Sequence, residues 1–109
     1  MALIKKIMGK KISRFIDDES RIGYHFWCQG CESYHGVYTD GAGKPNWSFN
    51  GDEEKPTFRP SVLSTWTEGE NHVPKRCHIF VTDGKIQYLN DCTHKLKGTT
   101  VELINWNEI

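Results

Sequence analysis

Seven side chains in this sequence can hold a metal ion, and they recur at short spacings: Cys28, Cys31, His35, Cys77, His78, Cys92 and His94. They are all four cysteines and three of the five histidines. They form two groups, FWCQGCESYH and then RCH with DCTH, separated by the 45 residues between Cys31 and Cys77. Small zinc domains tie hairpins together in this two-loop way. A C-x-x-C turn brings both sulfurs to one ion at ~2.3 Å and turns backbone N–H groups toward the thiolates. The same spacing serves thiol oxidoreductases, where a cysteine starts a helix. Here the flanking HFW and HGVY read as strands, which favours the metal.

The late group has no second C-x-x-C, so its geometry depends on the hairpin that carries it. Residues 77–91, CHIFVTDGKIQYLND, are two alternating runs around Asp83-Gly84, a pair suited to a two-residue type I′ turn. That turn sets Val81 opposite Ile86, Ile79 opposite Tyr88 and Cys77 opposite Asn90, with Cys92 continuing the same side. His78, Phe80, Leu89 and Asp91 fall on the other side. The simplest closed site is therefore Cys28, Cys31, Cys77 and Cys92 around zinc, with His94 the first substitute if one cysteine points away. Alternatively, Cys77 and Cys92 are small buried apolar residues.

The histidines separate a binding module from an enzyme. If the cysteines close one site, His35, His78 and His94 with a water would make an open hydrolytic zinc site. The plainer alternative is that they orient the thiolates or satisfy loop backbone groups. A third arrangement makes Cys92 a nucleophile paired with His78 and Asp91. His25 and His72 read as a strand residue and a loop residue.

The elements that must position these groups are hairpins. KKISRFI (10–16) and RIGYHFW (21–27) are β-prone runs around the polar DDES, and HGVYTD (35–40) continues as a strand. NWSFNGD puts Trp47 and Phe49 on one face and ends in an Asn50-Gly51 turn signal. Pro56 and Pro60 exclude a central strand and suggest an edge strand beginning near Ser61. Residues 67–75 read as an exposed loop. Thr93 can cap a short helical turn over 94–97 that ends at Gly98, before a last strand, TTVELINW. NGDEEKPTFRPS reads as a structured loop packed by Phe58. Its Asp52, Glu53 and Glu54 could form an acidic rim, or Glu53 or Glu54 could serve as a general base. The expected fold is mainly β, a small single domain over residues 1–109 made of hairpins clamped by zinc.

Composition agrees with that class. Of the 109 residues 37% are hydrophobic, 26% charged and 12% aromatic, which suits a small globular core and excludes a disordered chain. Residues 1–16 carry five bases and no acid, so the remainder has 9 bases against 14 acids. The basic start is expected to be peripheral, and the acidic body argues against a nucleic-acid-wrapping surface. No apolar run approaches the ~18 residues that span a bilayer, and no signal peptide is evident. These features point to a cytoplasmic, reducing setting, in which cysteines serve as thiolate ligands.

The runs FWCQGCESYHGV, WSFNGDEEKPTFRPSVL and RCHIFVTDGKIQYLNDCTHKLKGTTVEL resemble a family of short phage and prophage proteins with a domain of unknown function, some labelled ammonia monooxygenase. The family usually has proline where this chain has Gln29. The resemblance implies phage origin, expression in the bacterial cytosol and zinc, and some relatives are suspected metal-dependent peptidases. An oxygenase would need a different histidine and carboxylate set. The expected function is thus a zinc-stabilised accessory module that binds a protein partner. A zinc hydrolase is the alternative, and nucleic-acid binding through the basic start and exposed aromatics comes third.

Overall fold

A computed structural model describes residues 9–109. Of the basic segment of residues 1–16, expected to be peripheral, residues 1–8 lie outside the described residues, whereas Ile12–Ile16 form a strand in which Ile12 is buried. Strands β1 (Ile12–Ile16), β2 (Ile22–Cys28) and β3 (Ser33–Asp40) form one antiparallel sheet in that order. Strands β4 (Ser48–Phe49), β5 (Phe58–Glu68), β6 (Val73–Thr82), β7 (Lys85–Tyr88) and β8 (Thr100–Glu102) form a second, again in chain order. The fold is mainly β, as the alternation predicts. Among the described residues no helix is long and apolar enough to cross a membrane.

The two sheets share one core. Successive strand residues face opposite sides, so Cys77, Ile79 and Val81 of β6 and Ile86 and Tyr88 of β7 turn inward and are buried. Phe26 and Cys28 of β2 and Val37 of β3 meet them from the other sheet, and Phe26 stacks on Phe58 with ring centroids 6.1 Å apart. The remaining face of β6 carries His78 and Phe80. This division places two kinds of chemistry back to back on one strand.

The hairpin register is the expected one where the ladder runs. Ile79 pairs with Tyr88 and Val81 with Ile86, and Asp83 and Gly84 both have positive φ, 49° and 79°. The ladder stops at Ile79–Tyr88, so Cys77 has no ladder partner in Asn90. Two expectations need correcting. Residues 67–75 are not a loop: β5 and β6 pair as far as Glu68 and Val73, joined by a tight turn in which Gly69 and His72 have positive φ. Nor does the strand begin at Ser61. It begins at Phe58 and passes Pro60 through a bulge, in which four residues of β5 (58 to 62) advance against two of β6 (81 to 79). The extra residues free proline from donating to the ladder and swing the backbone around Ser61. Residues 94–97 close a turn through Lys97 N–H to the His94 carbonyl, 3.3 Å, and the helical turn is a 3-10 segment at Trp106–Glu108.

Asp17 organises the β1–β2 turn. Its carboxylate accepts from Arg21 Nε (2.7 Å), the Tyr38 hydroxyl (3.0 Å) and the backbone N–H groups of Glu19 and Arg21 (2.9 Å each). The Arg21 hydrogen bond above all holds this carboxyl far below its ordinary value of 3.8. A depressed folded-state pKa stabilises above the unfolded value and loses that contribution as the pH falls. Asp17→Asn is therefore expected to lower the thermal unfolding temperature at neutral pH. The difference from wild type should shrink as the pH drops below 3.8, which calorimetry across pH would follow.

Candidate active site and metal centre

On the outer face of the second sheet, three side chains from three segments meet in a line. Asp91 Oδ2 lies 3.0 Å from His78 Nδ1, and His78 Nε2 lies 3.0 Å from Ser61 Oγ. An ionised carboxylate only accepts, so Nδ1 carries the proton and donates it to Asp91. Nε2 is then left with its lone pair and accepts from the Ser61 hydroxyl. The His78 hydrogen bond, with the Arg76 charge 3.5 Å away adding, keeps the Asp91 carboxyl below the usual carboxylate range. Asp91 is therefore ionised at neutral pH. The arrangement can remove the hydroxyl proton as the oxygen attacks.

Local structure explains how each member arrives. Ser61 sits in the β5 bulge, and the indole Nε1 of Trp47 donates to its carbonyl at 3.1 Å. His78 lies on β6, facing away from the core. Asp91 follows β7 in a loop stitched to β6 on both sides. Thr93 N–H donates to the Arg76 carbonyl (2.9 Å) and its Oγ1 accepts from Arg76 N–H (2.8 Å). Cys92 Sγ accepts from His78 N–H and donates to the His78 carbonyl, both at 3.3 Å. Cys92 thus grips the backbone of His78 rather than its ring. Sequence alternation pairs His78 with Asp91 but sets them behind Cys92 as nucleophile. In the structure the hydroxyl that meets the His78 ring is that of Ser61.

On the inner face of β6, directly behind His78, lies the sulfur cluster. All four cysteines are free thiols. The donor atoms of Cys28, Cys31, His35 and Cys77 lie within 4.8 Å of one another, as do those of Cys77, Cys92 and His94. Either set could hold a metal ion, and Cys77 belongs to both. Among the described residues His35, His78 and His94 form no common group, and both ring nitrogens of His78 are engaged elsewhere.

The first set fits a cation better. His35 is 9% exposed and its Nδ1 lies 3.3 Å from Ser64 Oγ, while its Nε2 is buried with no hydrogen-bond partner among the described residues. A buried ring nitrogen turned toward three thiols is what a ligand position requires. The thiols tell the same story. The Cys77 hydrogen bond pushes the Cys28 thiol down to about 3, with His35 and Tyr88 adding and burial opposing. Burial and the charge on Cys28 push Cys31 up to about 12, and the bond to Cys28 with burial pushes Cys77 up as well. Thiolates this close together repel one another. A divalent ion would supply the charge that offsets this.

Neighbours are arranged to support that charge. Tyr88 Oη accepts from Gly30 N–H at 3.0 Å, so its own proton is directed at Cys28 Sγ, 3.3 Å away. Cys31 N–H donates to the same sulfur at 3.3 Å. His94 Nδ1 accepts from Leu96 N–H at 3.2 Å, which leaves the proton on Nε2, 3.4 Å from Cys77 Sγ. His94 therefore donates to the Cys77 sulfur. Its ring rests on Gly30, where any β-carbon would collide with it, so the glycine of the C-Q-G-C turn is set by this contact.

Ser61 is hidden at the level of sequence because its partner is chosen by the β5–β6 register, which no turn signal fixes. Only its place in the R-P-S run marks it. Residues 4–89 match the family model described as "Bacterial ubiquitination-like system serine protease (BubE)". The chain belongs to the BubE family. The span matched by the BubE model contains Ser61, His78, Cys28, Cys31, His35 and Cys77 and stops two residues short of Asp91. BubE membership stands where the resemblance placed a family of unknown function, and its description says nothing of phage. No curated protein and no solved structure matches the chain.

Proposed function

We propose that this protein is a serine protease acting on a protein of a bacterial ubiquitination-like system. Ser61 is the nucleophile, His78 the general base and then acid, and Asp91 the group that holds the imidazole. The unbroken line Asp91–His78–Ser61, with both contacts at 3.0 Å, carries the reading. The BubE description supports it.

In the reaction Ser61 Oγ bonds to the carbonyl carbon of the scissile peptide while its proton passes to His78 Nε2. The imidazolium so formed is stabilised by Asp91, 3.0 Å from Nδ1. As the carbon–nitrogen bond breaks, His78 returns the proton to the leaving amine. Water then attacks the acyl ester, again losing its proton to His78, and Ser61 is regenerated as the acid product leaves.

The metal, which we take to be zinc from its three sulfurs and one nitrogen, is architecture in this account. Cys28, Cys31, His35 and Cys77 would hold it, and it would join the two sheets immediately behind His78. Because His94 only donates to a ligand sulfur, His94→Ala is expected to weaken zinc binding about 10- to 100-fold without abolishing it. Competition with a chromophoric chelator measures this, and a complete loss of binding would promote His94 to a ligand.

The protease reading is tested by following cleavage of the system's protein components by mass spectrometry with phenylmethylsulfonyl fluoride added. Cleavage that the sulfonyl fluoride stops is the expected result. Cleavage that persists would return the metal-hydrolase alternative.

A further inference from the structure

The outer edge of β5 begins beside the nucleophile and, among the described residues, has no partner strand past Arg59. β4 pairs with β5 only at Phe58 and Arg59, whereas β6 pairs along it from Val62 to Glu68. In an antiparallel strand the N–H and C=O of one residue point to the same side, and successive residues alternate. His78 and Arg76 use theirs away from β5. The His78 carbonyl accepts from Leu89 N–H at 2.9 Å, and Arg76 bonds to Thr93 through both its carbonyl and its N–H. Their cross-strand partners, Leu63 and Thr65, must therefore point N–H and C=O outward. Thr67, opposite Pro74, is in the same phase. So is Ser61, whose carbonyl is met by Trp47. Past Trp47 no strand among the described residues pairs with this edge.

Its composition and surroundings fit a partner. Exposed edges are ordinarily guarded by lysine, proline or a bulge against pairing with other chains. Residues 61–67, SVLSTWT, contain no charge and no proline, and the bulge lies before them. Open space lies against both faces of β5. A cleft of about 390 Å³ separates Ser64 and Trp66 from Ser33 and His35 of β3, and on the other face a hollow of about 410 Å³ lies over β5 and β6 between Thr65, Thr67, Arg76 and Asp91. Leu63, 55% exposed, stands on the same face as His78.

We propose that the β5 edge from Leu63 to Thr67 is the substrate-chain subsite, where the extended peptide flanking the scissile bond adds as a strand. The inference rests on the protease reading above. Donors and acceptors repeating every second residue, roughly 7 Å, match only a polypeptide in extended form. The edge reads main chain rather than side chain. Cleavage is thus confined to unstructured tails or linkers, because a segment within a folded domain has its backbone groups already paired.

Thr65→Pro removes one outward donor and no ladder hydrogen bond, a change an edge strand accommodates. Two rates are measured on wild type and variant. One is labelling of Ser61 by a small fluorophosphonate, and the other is cleavage of internally quenched decapeptides of randomised sequence. The expected result is a fall of about tenfold or more in the ratio of cleavage to labelling, the worth of one or two backbone hydrogen bonds. If the variant does not fold, a cleaved decapeptide is remade with single N-methyl amides and tested on wild type. Loss at alternate positions supports the edge, and uniform tolerance overturns it. A labelled wild type that cleaves no member of the pool also overturns it. So does a variant with an unchanged ratio, including one that turns a dimer into a monomer, which would mean that the edge pairs with a second copy. A wild type that is not labelled at all rejects the protease reading instead.

Discussion

Replacing Ser61 by alanine should abolish proteolysis, with kcat falling on the order of 10⁵-fold or more, while the unfolding temperature stays close to wild type. Ser61 is half-buried in a bulge, and its hydroxyl is bonded to a side chain rather than to the ladder. Little stability is therefore lost with it. The chemistry has no substitute: without the oxygen there is no nucleophile, and residues acting as a unit fail together when one is removed. Asp91→Asn is the sharper version. It preserves shape but favours an amide N–H facing His78 Nδ1, so the ring proton moves to Nε2 and that nitrogen can no longer accept from Ser61. A loss of about 10⁴-fold in kcat is expected. Turnover and melting measured together separate these effects from unfolding. Equal activity of Asp91→Asn and wild type would mean that the carboxylate does not set the tautomer.

The second large effect concerns the metal. Cys28 and Cys77 sit on strands of different sheets, their sulfurs 3.9 Å apart, and both are buried. An ion bound by Cys28, Cys31, His35 and Cys77 would close the contact between the sheets. Structural zinc can contribute on the order of 10 kcal/mol, comparable with the roughly 5–15 kcal/mol that holds a whole domain together. Chelation, or Cys77→Ala, is thus expected to unfold the protein at room temperature and to remove activity with the fold, because His78 is the next residue along β6. Circular dichroism during titration with a chelator would show the two losses together. Activity that survives loss of the metal, or structure that persists without it, would uncouple the two faces of β6.

How much of the molecule is legible in the sequence follows from how local each feature is. The Asp83-Gly84 turn fixes the β6–β7 register, which is why alternation alone places His78 and Asp91 on one face and Cys77 on the other. The C-x-x-C turn is equally local. Ser61 is hidden because its approach to His78 depends on pairing between β5 and β6 and on a two-residue bulge, neither of which alternation encodes. The bulge also explains why Pro60, which by its chemistry marks a strand boundary, lies inside a strand. His35 and Cys92 illustrate the limit on the metal side. Which of them faces Cys28 and Cys31 is decided by how two sheets pack, and a chain of short strands gives no register between sheets. Cys92, expected among the thiolates, has its sulfur hydrogen-bonded to the backbone of His78.

The most direct measurement is mass-spectrometric mapping of the adduct left by a fluorophosphonate, which captures a serine only when its hydroxyl is activated. A single phosphonyl group on Ser61, absent from His78→Ala protein that remains folded, is the predicted outcome. An adduct elsewhere, or one that forms on Ser61 at the same rate without His78, would contradict the catalytic line from Asp91 to Ser61.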